Sequence, residues 1–222
     1  MIHTHAFILS FLPFEERHAI VSLFSKDLGL VKLFVKNAIK QRELQQIFLE
    51  GEWLLNQGKG DLFKLEDLTP LHYYYLHLRQ SSLHLEILYE IRSLLLKHLS
   101  MECPCPQLYS LLKIYLEQLA TTSSPQHLLN SFYLKFLKHE GYLNFHPPCQ
   151  QCGNMCQPLF QMKSSFFCAK HAFQHCTQFN EDDLVKMNIL AEARSFSTIE
   201  TLSISSNLSK KIKQFFTGFF YE

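Results

Sequence analysis

No apolar run in the chain approaches the ~20 residues that a membrane-spanning helix needs. The opening stretch from Met1 to Phe14 carries neither a basic leader nor a small-residue cleavage site. These absences argue against a membrane helix and lead us to expect a cytoplasmic protein. An excess of positive charge is missing too: 21 Lys and Arg against 20 Asp and Glu leave a formal net charge of +1. No global field announces a nucleic-acid partner, so any basic binding face must be local. The polar bias of disordered chains is absent as well, with 47% hydrophobic and 18% charged residues predicting a packed core. There is no internal repeat, no extended low-complexity linker and no Walker loop. The segment Gln57-Gly58-Lys59-Gly60-Asp61 lacks the flanking glycine spacing and the following Ser or Thr, and reads as a lysine-bearing hairpin turn.

What is present divides at about residue 78. Residues 5 to 75 hold short apolar segments, Ala6–Leu9, Ala19–Phe24, Leu30–Val35, Trp53–Leu55 and Leu62–Leu65, punctuated by Pro13, Gly29, Gly51 and the Gly58–Gly60 turn. Short strands without long helices between them predict a small antiparallel barrel. Residues 18–26 also fit helical spacing through Ile20, Leu23 and Phe24, which leaves that segment open. Beyond residue 80 the apolar period lengthens to three and four. One stripe runs through Leu83, Ile87, Leu88, Ile91, Leu94, Leu95 and Leu99, a second through Leu108, Leu111, Leu112, Tyr115, Leu116 and Leu119. A third helix, started by Ser123, Ser124 and Pro125, carries Leu128, Leu129, Phe132, Tyr133, Phe136 and Leu137. Asn180 before three acids predicts a capped helix start, and Leu208, Ile212, Phe215, Phe216 and Phe219 a last helix. The expected architecture is α+β: a barrel over residues 1–78, then a helical domain over 79–222 with an inserted loop at about 146–178.

That loop holds the sharpest chemistry. Five of the seven cysteines fall between Cys149 and Cys176, beside His171 and His175. In a chain without an export signal such clustering suggests metal before disulfides. Cys149-Gln150-Gln151-Cys152, fifteen residues, then Cys168-Ala169-Lys170-His171 supply three thiolates and an imidazole for a tetrahedral zinc. Gly153 suits the tight turn that aims the first pair inward. Cys156, His175 and Cys176 are spare ligands, and buried inert cysteines are the bland alternative. Four protein ligands leave no position for water, so the zinc would be structural.

Lys32, Lys36, Lys40 and Arg42 form a run without an intervening acid. Such a run can track phosphates, although a solvated strand edge explains a few lysines equally well. Trp53 and the Tyr73–Tyr75 run could stack bases but are better read as packing residues. The His84-Leu85-Glu86 triplet with Pro148, Cys149 and Cys152 mimics a zinc deaminase. The triplet lies inside a leucine-rich helix, the gap is long, and Cys168 and His171 would go unexplained.

The order of these parts resembles the RecO family of recombination mediators. The resemblance is carried by Thr4-His5-Ala6-Phe7-Ile8-Leu9-Ser10, by Ile20–Gly29, by Leu33-Phe34-Val35-Lys36-Asn37-Ala38-Ile39-Lys40, by Gly60-Asp61-Leu62-Phe63 and by the position of the cysteine-rich insert. Asn37 stands where the family usually has glycine, Ile39 where it usually has a basic residue, and His171 where a fourth cysteine is common. The resemblance implies an OB-type barrel that binds single- and double-stranded DNA through Lys32, Lys36, Lys40 and Arg42. It also implies a structural zinc and strand annealing without catalysis. The partners it implies are RecR and the tail of single-strand-binding protein, with RecA engaged indirectly, in a bacterial cytoplasm and at the nucleoid during repair. A zinc-stabilised adaptor binding only proteins and a deaminase-type hydrolase are the competing classes.

Overall fold

Apolar residues at alternate positions turn one side of a strand into a core, and the first third of the chain does this five times. In the computed structural model, which describes residues 1–58, 60–79 and 81–220, the strands are β1 (Ile2–Phe14), β2 (His18–Ser25), β3 (Gly29–Val35), β4 (Leu49–Gln57) and β5 (Leu62–Tyr73). They close into a barrel in the order β1-β2-β3-β5-β4. Every pairing is antiparallel except β3 with β5, which run parallel from Lys32 opposite Leu62 to Phe34 opposite Lys64. The expected OB-type barrel is present. The ambiguous segment 18–26 is a strand, because β1 and β3 pair with it on both sides and outweigh its helical spacing. Of the expected hairpin at Gly58–Gly60, Lys59 lies outside the described residues.

The strands are longer than the short apolar segments suggested, since polar outward residues continue each of them. β1 spans 13 residues and β5 spans 12, and both bend to close the barrel. The register slips at Leu9 in β1, at Leu71 and at Glu66 in β5, the local kinks by which small barrels turn their corners. The carbonyl of Leu9 at the first slip accepts a hydrogen bond from Arg92 Nε.

Ala6, Ile8, Val21, Leu23, Val31, Leu33, Leu55 and Phe63 fill the barrel around Trp53. Trp53 is fully buried and donates its indole N–H to Ala6 O at 3.1 Å. The outward-facing Phe7 and Phe24 are fully buried as well, their rings 4.7 and 5.7 Å from that of Tyr109. One patch of the barrel is thus covered on its outside. The cover comes from α1 (Tyr74–Leu78), α2 (Ser82–His98) and α3 (Pro106–Leu119), which explains why Ala6–Leu9 and Leu23–Phe24 are continuously apolar.

The chain divides into two compact units, Met1–Thr121 and Thr122–Glu222. Helices α2 and α3 therefore group with the barrel, whereas the sequence reading sets its boundary after residue 78. In α2 and α3 the predicted stripes are buried, apart from Leu83 at 44% exposure and a half-buried Leu111.

The second unit is built around α4 (Pro125–His139), buried at ten of its positions including Asn130 and Ser131. A helix apolar nearly all round belongs in the middle of a layer, and α5 (Glu181–Glu192), α6 (Phe196–Thr201) and α7 (Ser206–Gly218) pack around it. Pro125 opens α4 as expected, but no serine side chain caps it; Thr122 Oγ1 instead accepts the Ser124 N–H at 3.0 Å. Asn180 caps α5 in a reciprocal box with Asp183. Between α4 and α5 lies a small sheet in the order β7-β6-β8, made from β6 (Leu159–Met162), β7 (Ser165–Phe167) and β8 (Thr177–Phe179). No helix among the described residues is long and apolar enough to cross a membrane.

Candidate metal centre and nucleic-acid face

The small sheet holds two tight turns against each other. In the first, Cys149 N–H donates to Asn154 O at 2.7 Å and Gly153 N–H to Cys149 O at 2.8 Å, with Gly153 at a φ of 72° that favours glycine. Gln150 N–H donates to Phe166 O at 2.9 Å, tying this turn to β7. In the second, His171 N–H donates to Cys168 O at 3.0 Å directly after β7.

The result is a cluster of Cys149, Cys152, Cys168 and His171 whose ligand atoms all lie within 4.8 Å of one another. Cys168 Sγ is 3.3 Å and Cys149 Sγ 3.6 Å from His171 Nδ1, while Cys152 and Cys168 sulfurs are 3.9 Å apart. A tetrahedral ion with metal–sulfur bonds of ~2.3 Å and a metal–nitrogen bond of ~2.0 Å sets these edges near ~3.8 Å for sulfur pairs and ~3.5 Å for sulfur and nitrogen. The four residues can hold a metal ion.

Electrostatics favour a cation there. Burial alone would push the Cys149 thiol up, yet backbone N–H groups at Cys168, Cys152 and Gln151, together with His171, hold it down at about 5. The Cys152 thiol is held up, because the lowering N–H at Asn154 is outweighed by burial and by the neighbouring Cys149 and Cys168. Crowded thiolates repel one another until a positive ion joins them. Of the spare ligands, Cys156 is buried beside the cluster with its thiol pushed up to about 11 by burial and then by Cys149 and Cys168. Cys176 Sγ instead accepts the Phe173 N–H at 3.4 Å.

The deaminase-like triplet does not join this cluster. Ser81 caps α2, and its Oγ lies 2.6 Å from His84 Nδ1. His84→Ala is therefore expected to leave metal content unchanged by elemental analysis; loss of the metal would revive a catalytic reading.

On the barrel, Lys32, Lys36, Lys40 and Arg42 are all exposed. Asn37 adopts a left-handed φ of 53°, a conformation that asparagine tolerates better than most residues. The outward positions of β1, β2, β3 and β5 that the helices leave open carry further groups that the sequence reading missed. Cross-strand pairing sets Phe14 against His18, Ile20 against Phe34, Ser22 against Lys32, and Phe34 against Lys64. The Phe34 ring is 6.1 Å from that of Phe14, edge-on, and 5.3 Å from that of His18. Only the closed register aligns these residues, so no local motif could have revealed them.

A cleft of about 520 Å³ runs beside this face between Lys36 and Lys64. Glu43, Glu66 and Asp67 also line it, so a polyanion fits better along Lys32 and the rings of Phe34, Phe14 and His18 than inside the cleft. Glu50, which follows the basic run in sequence, is buried and neutralised by Lys113 at 2.8 Å. Trp53 and Tyr74 are buried core residues, while Tyr73 packs partly against the barrel core. In the second unit, Lys135, Lys138 and Lys186 are engaged within the unit. Lys135 donates to Ala193 O at 2.7 Å, Lys138 pairs with Glu192 at 2.6 Å, and Lys186 pairs with Asp182 at 2.7 Å.

Comparison with known proteins agrees with this architecture. The family model described as "Recombination protein O N terminal" matches residues 1–74, and "Recombination protein O C terminal" matches residues 88–222. The DNA repair protein RecO of Chlamydia muridarum is 26% identical, over 97% of this chain and 94% of its own. That of Chlamydia trachomatis serovar L2 is 25% identical over 97% and 90%, and that of Aliivibrio salmonicida 24% over 92% and 85%. With its barrel and its helical part each matched by the corresponding family model, the chain belongs to the recombination protein O family.

Proposed function

We propose that this chain is a DNA-binding, strand-annealing recombination mediator in DNA repair, with a structural zinc held by Cys149, Cys152, Cys168 and His171. The observation that carries the DNA reading is the open barrel face, where exposed lysines flank the Phe34 ring with no acid between Lys32 and Arg42. Family membership, and relatives named for DNA repair, support it.

The mechanism needs no bond chemistry. Lys32, Lys36, Lys40 and Arg42 neutralise phosphates, which lowers the repulsion between two approaching strands. Phe34, with Phe14 and His18 beside it, offers a π-face to unpaired bases without reading their sequence. Because the contacts are mostly to the backbone, binding is indifferent to sequence and base edges stay free to pair. Zinc supplies a rigid knuckle, and a closed set of four protein ligands leaves no site for a reacting water. The partners are those the resemblance implies: RecR, the tail of single-strand-binding protein, and RecA indirectly.

Salt dependence tests this. For single strands, log affinity falls with log salt by about 0.7 per neutralised phosphate. Alanine at Lys36, Lys40 and Arg42 together should flatten that slope by up to about two units and slow annealing, while metal content and helicity stay native. Ile39→Arg, at an exposed position, should strengthen binding. Unchanged slopes in both variants, with the fold intact, would make the run a solvated edge and mean that DNA is held elsewhere or not at all.

A further inference from the structure

The second unit contains a long stretch with no acidic residue. Residues 141–180 carry neither Asp nor Glu, although the chain holds 20 acids in all. The stretch includes the whole metal module, and its exposed residues include the amides Gln151, Asn154 and Gln174 and the lysines Lys163 and Lys170. Four large apolar side chains of the stretch are exposed with them, Tyr142, Met155, Met162 and Phe173, the last at 55%.

Phe173 is held in place. Its N–H donates to Cys176 Sγ at 3.4 Å, and Cys176 N–H donates back to Phe173 O at 3.1 Å, closing a tight turn. Its ring meets that of Phe167 edge-on at 5.4 Å and an interplanar angle of 81°, with Phe167 itself buried. An edge-on ring leaves faces available, and a ring fixed by turn and packing loses little entropy when something stacks on it. An exposed aromatic three residues after an exposed lysine, in a stretch of chain without acids, is complementary to one class of polymer. Its backbone is a polyanion and its bases are flat and apolar-faced.

We infer that the metal module is a second single-strand contact, in which Phe173 stacks on a base and Lys170 meets an adjacent phosphate. The inference rests on the DNA-binding reading above and deepens it: each unit then holds single-stranded DNA on a surface of its own. Annealing gains from this, since two strands can be held by one chain rather than competing for one face. Duplex DNA, whose bases are already stacked, gains little from Phe173. A peptide is the lesser fit, because the module's edge strands, β7 and β8, are only three residues long and give an added strand little to pair with.

The test uses the full metal-loaded chain and an oligo-dT strand. Hydrogen exchange should show residues 168–176 protected by the oligonucleotide, together with the barrel face. Phe173→Ala with Lys170→Ala should weaken single-strand binding at least about fivefold, the loss of one stacked base, and leave duplex binding nearly unchanged. Phe173→Tyr should restore affinity, and since neither residue is among the four cluster ligands, metal content should stay stoichiometric in all variants. Unaltered single-strand affinity in the metal-loaded double variant, or no protection of 168–176, overturns the inference. If the wild-type chain itself fails to bind oligo-dT, the DNA-binding reading falls with it. Loss confined to the barrel variants sinks the second contact alone.

Discussion

Cys149→Ser or Cys168→Ser is expected to abolish stoichiometric metal binding and to unfold the module between α4 and α5. The size of the effect follows from how little else holds that segment. Its strands are four, three and three residues long, and a piece of chain of fewer than ~40 residues rarely buries enough apolar surface to fold alone. Structural zinc sites contribute roughly 10–16 kcal/mol of apparent binding free energy near neutral pH, far more than three short strands supply. Elemental analysis and hydrogen exchange over residues 147–179 would check it. Trp53, the single tryptophan, sits in the barrel and reports separately on that unit. A serine variant with full metal and native protection would reject the ligand set. Acid should act in the same direction. The folded state holds Cys149 at about 5 against an ordinary thiol value of 9.0. Its thiolate contributes stability in full above the unfolded value, and that contribution is lost as the pH falls through this window.

Lys113→Met should be the most damaging single change in the barrel unit away from its apolar core. Glu50 is 1% exposed, and Lys113 Nζ contacts both of its oxygens, at 2.8 and 3.0 Å. Tyr109 and Tyr74 hydroxyls donate to the same carboxylate at 3.2 and 3.4 Å. Burial, and then the charge of Glu50, pushes both phenols well above their ordinary 10.0. Removing the lysine strands a buried charge, at a cost of about 3 kcal/mol. The figure sits at the low end of the range because the lysine is 37% exposed and water can partly replace it. Adding Glu50→Gln removes the charge while keeping an acceptor for the tyrosines, and should recover most of the loss. Trp53 fluorescence during urea unfolding measures both variants; equal midpoints for wild type and Lys113→Met would show that the pair contributes nothing.

Much of the metal site was legible because its information is local. Cys149 and Cys152, then Cys168 and His171, are pairs whose spacing already specifies two ligand-bearing turns, and Gly153 specifies the backbone that turn needs. The helical stripes were legible for the same reason: a period of three and four is a property of neighbours in sequence. The basic run Lys32 to Arg42 could likewise be read, since being acid-free is a one-dimensional fact.

Only the tertiary structure decided the rest, because it depended on partners far apart in the chain. Segment 18–26 had two acceptable local conformations, and pairing with β1 and β3 selected the strand. Phe14, His18, Phe34 and Lys64 became one surface through closure of the barrel, the last by a parallel pairing of β5 with β3. Glu50 lies next to the lysines in sequence, but only the fold buries it against Lys113 on α3. Phe173 carried no periodic signal at all. Its exposure, and the edge-on ring of Phe167 beneath it, exist only where β7 and the turn after Cys168 meet. Backbone turns and face periodicity are set by neighbouring residues. Which side chains share a surface is set by strand register and packing, which no short window of sequence contains.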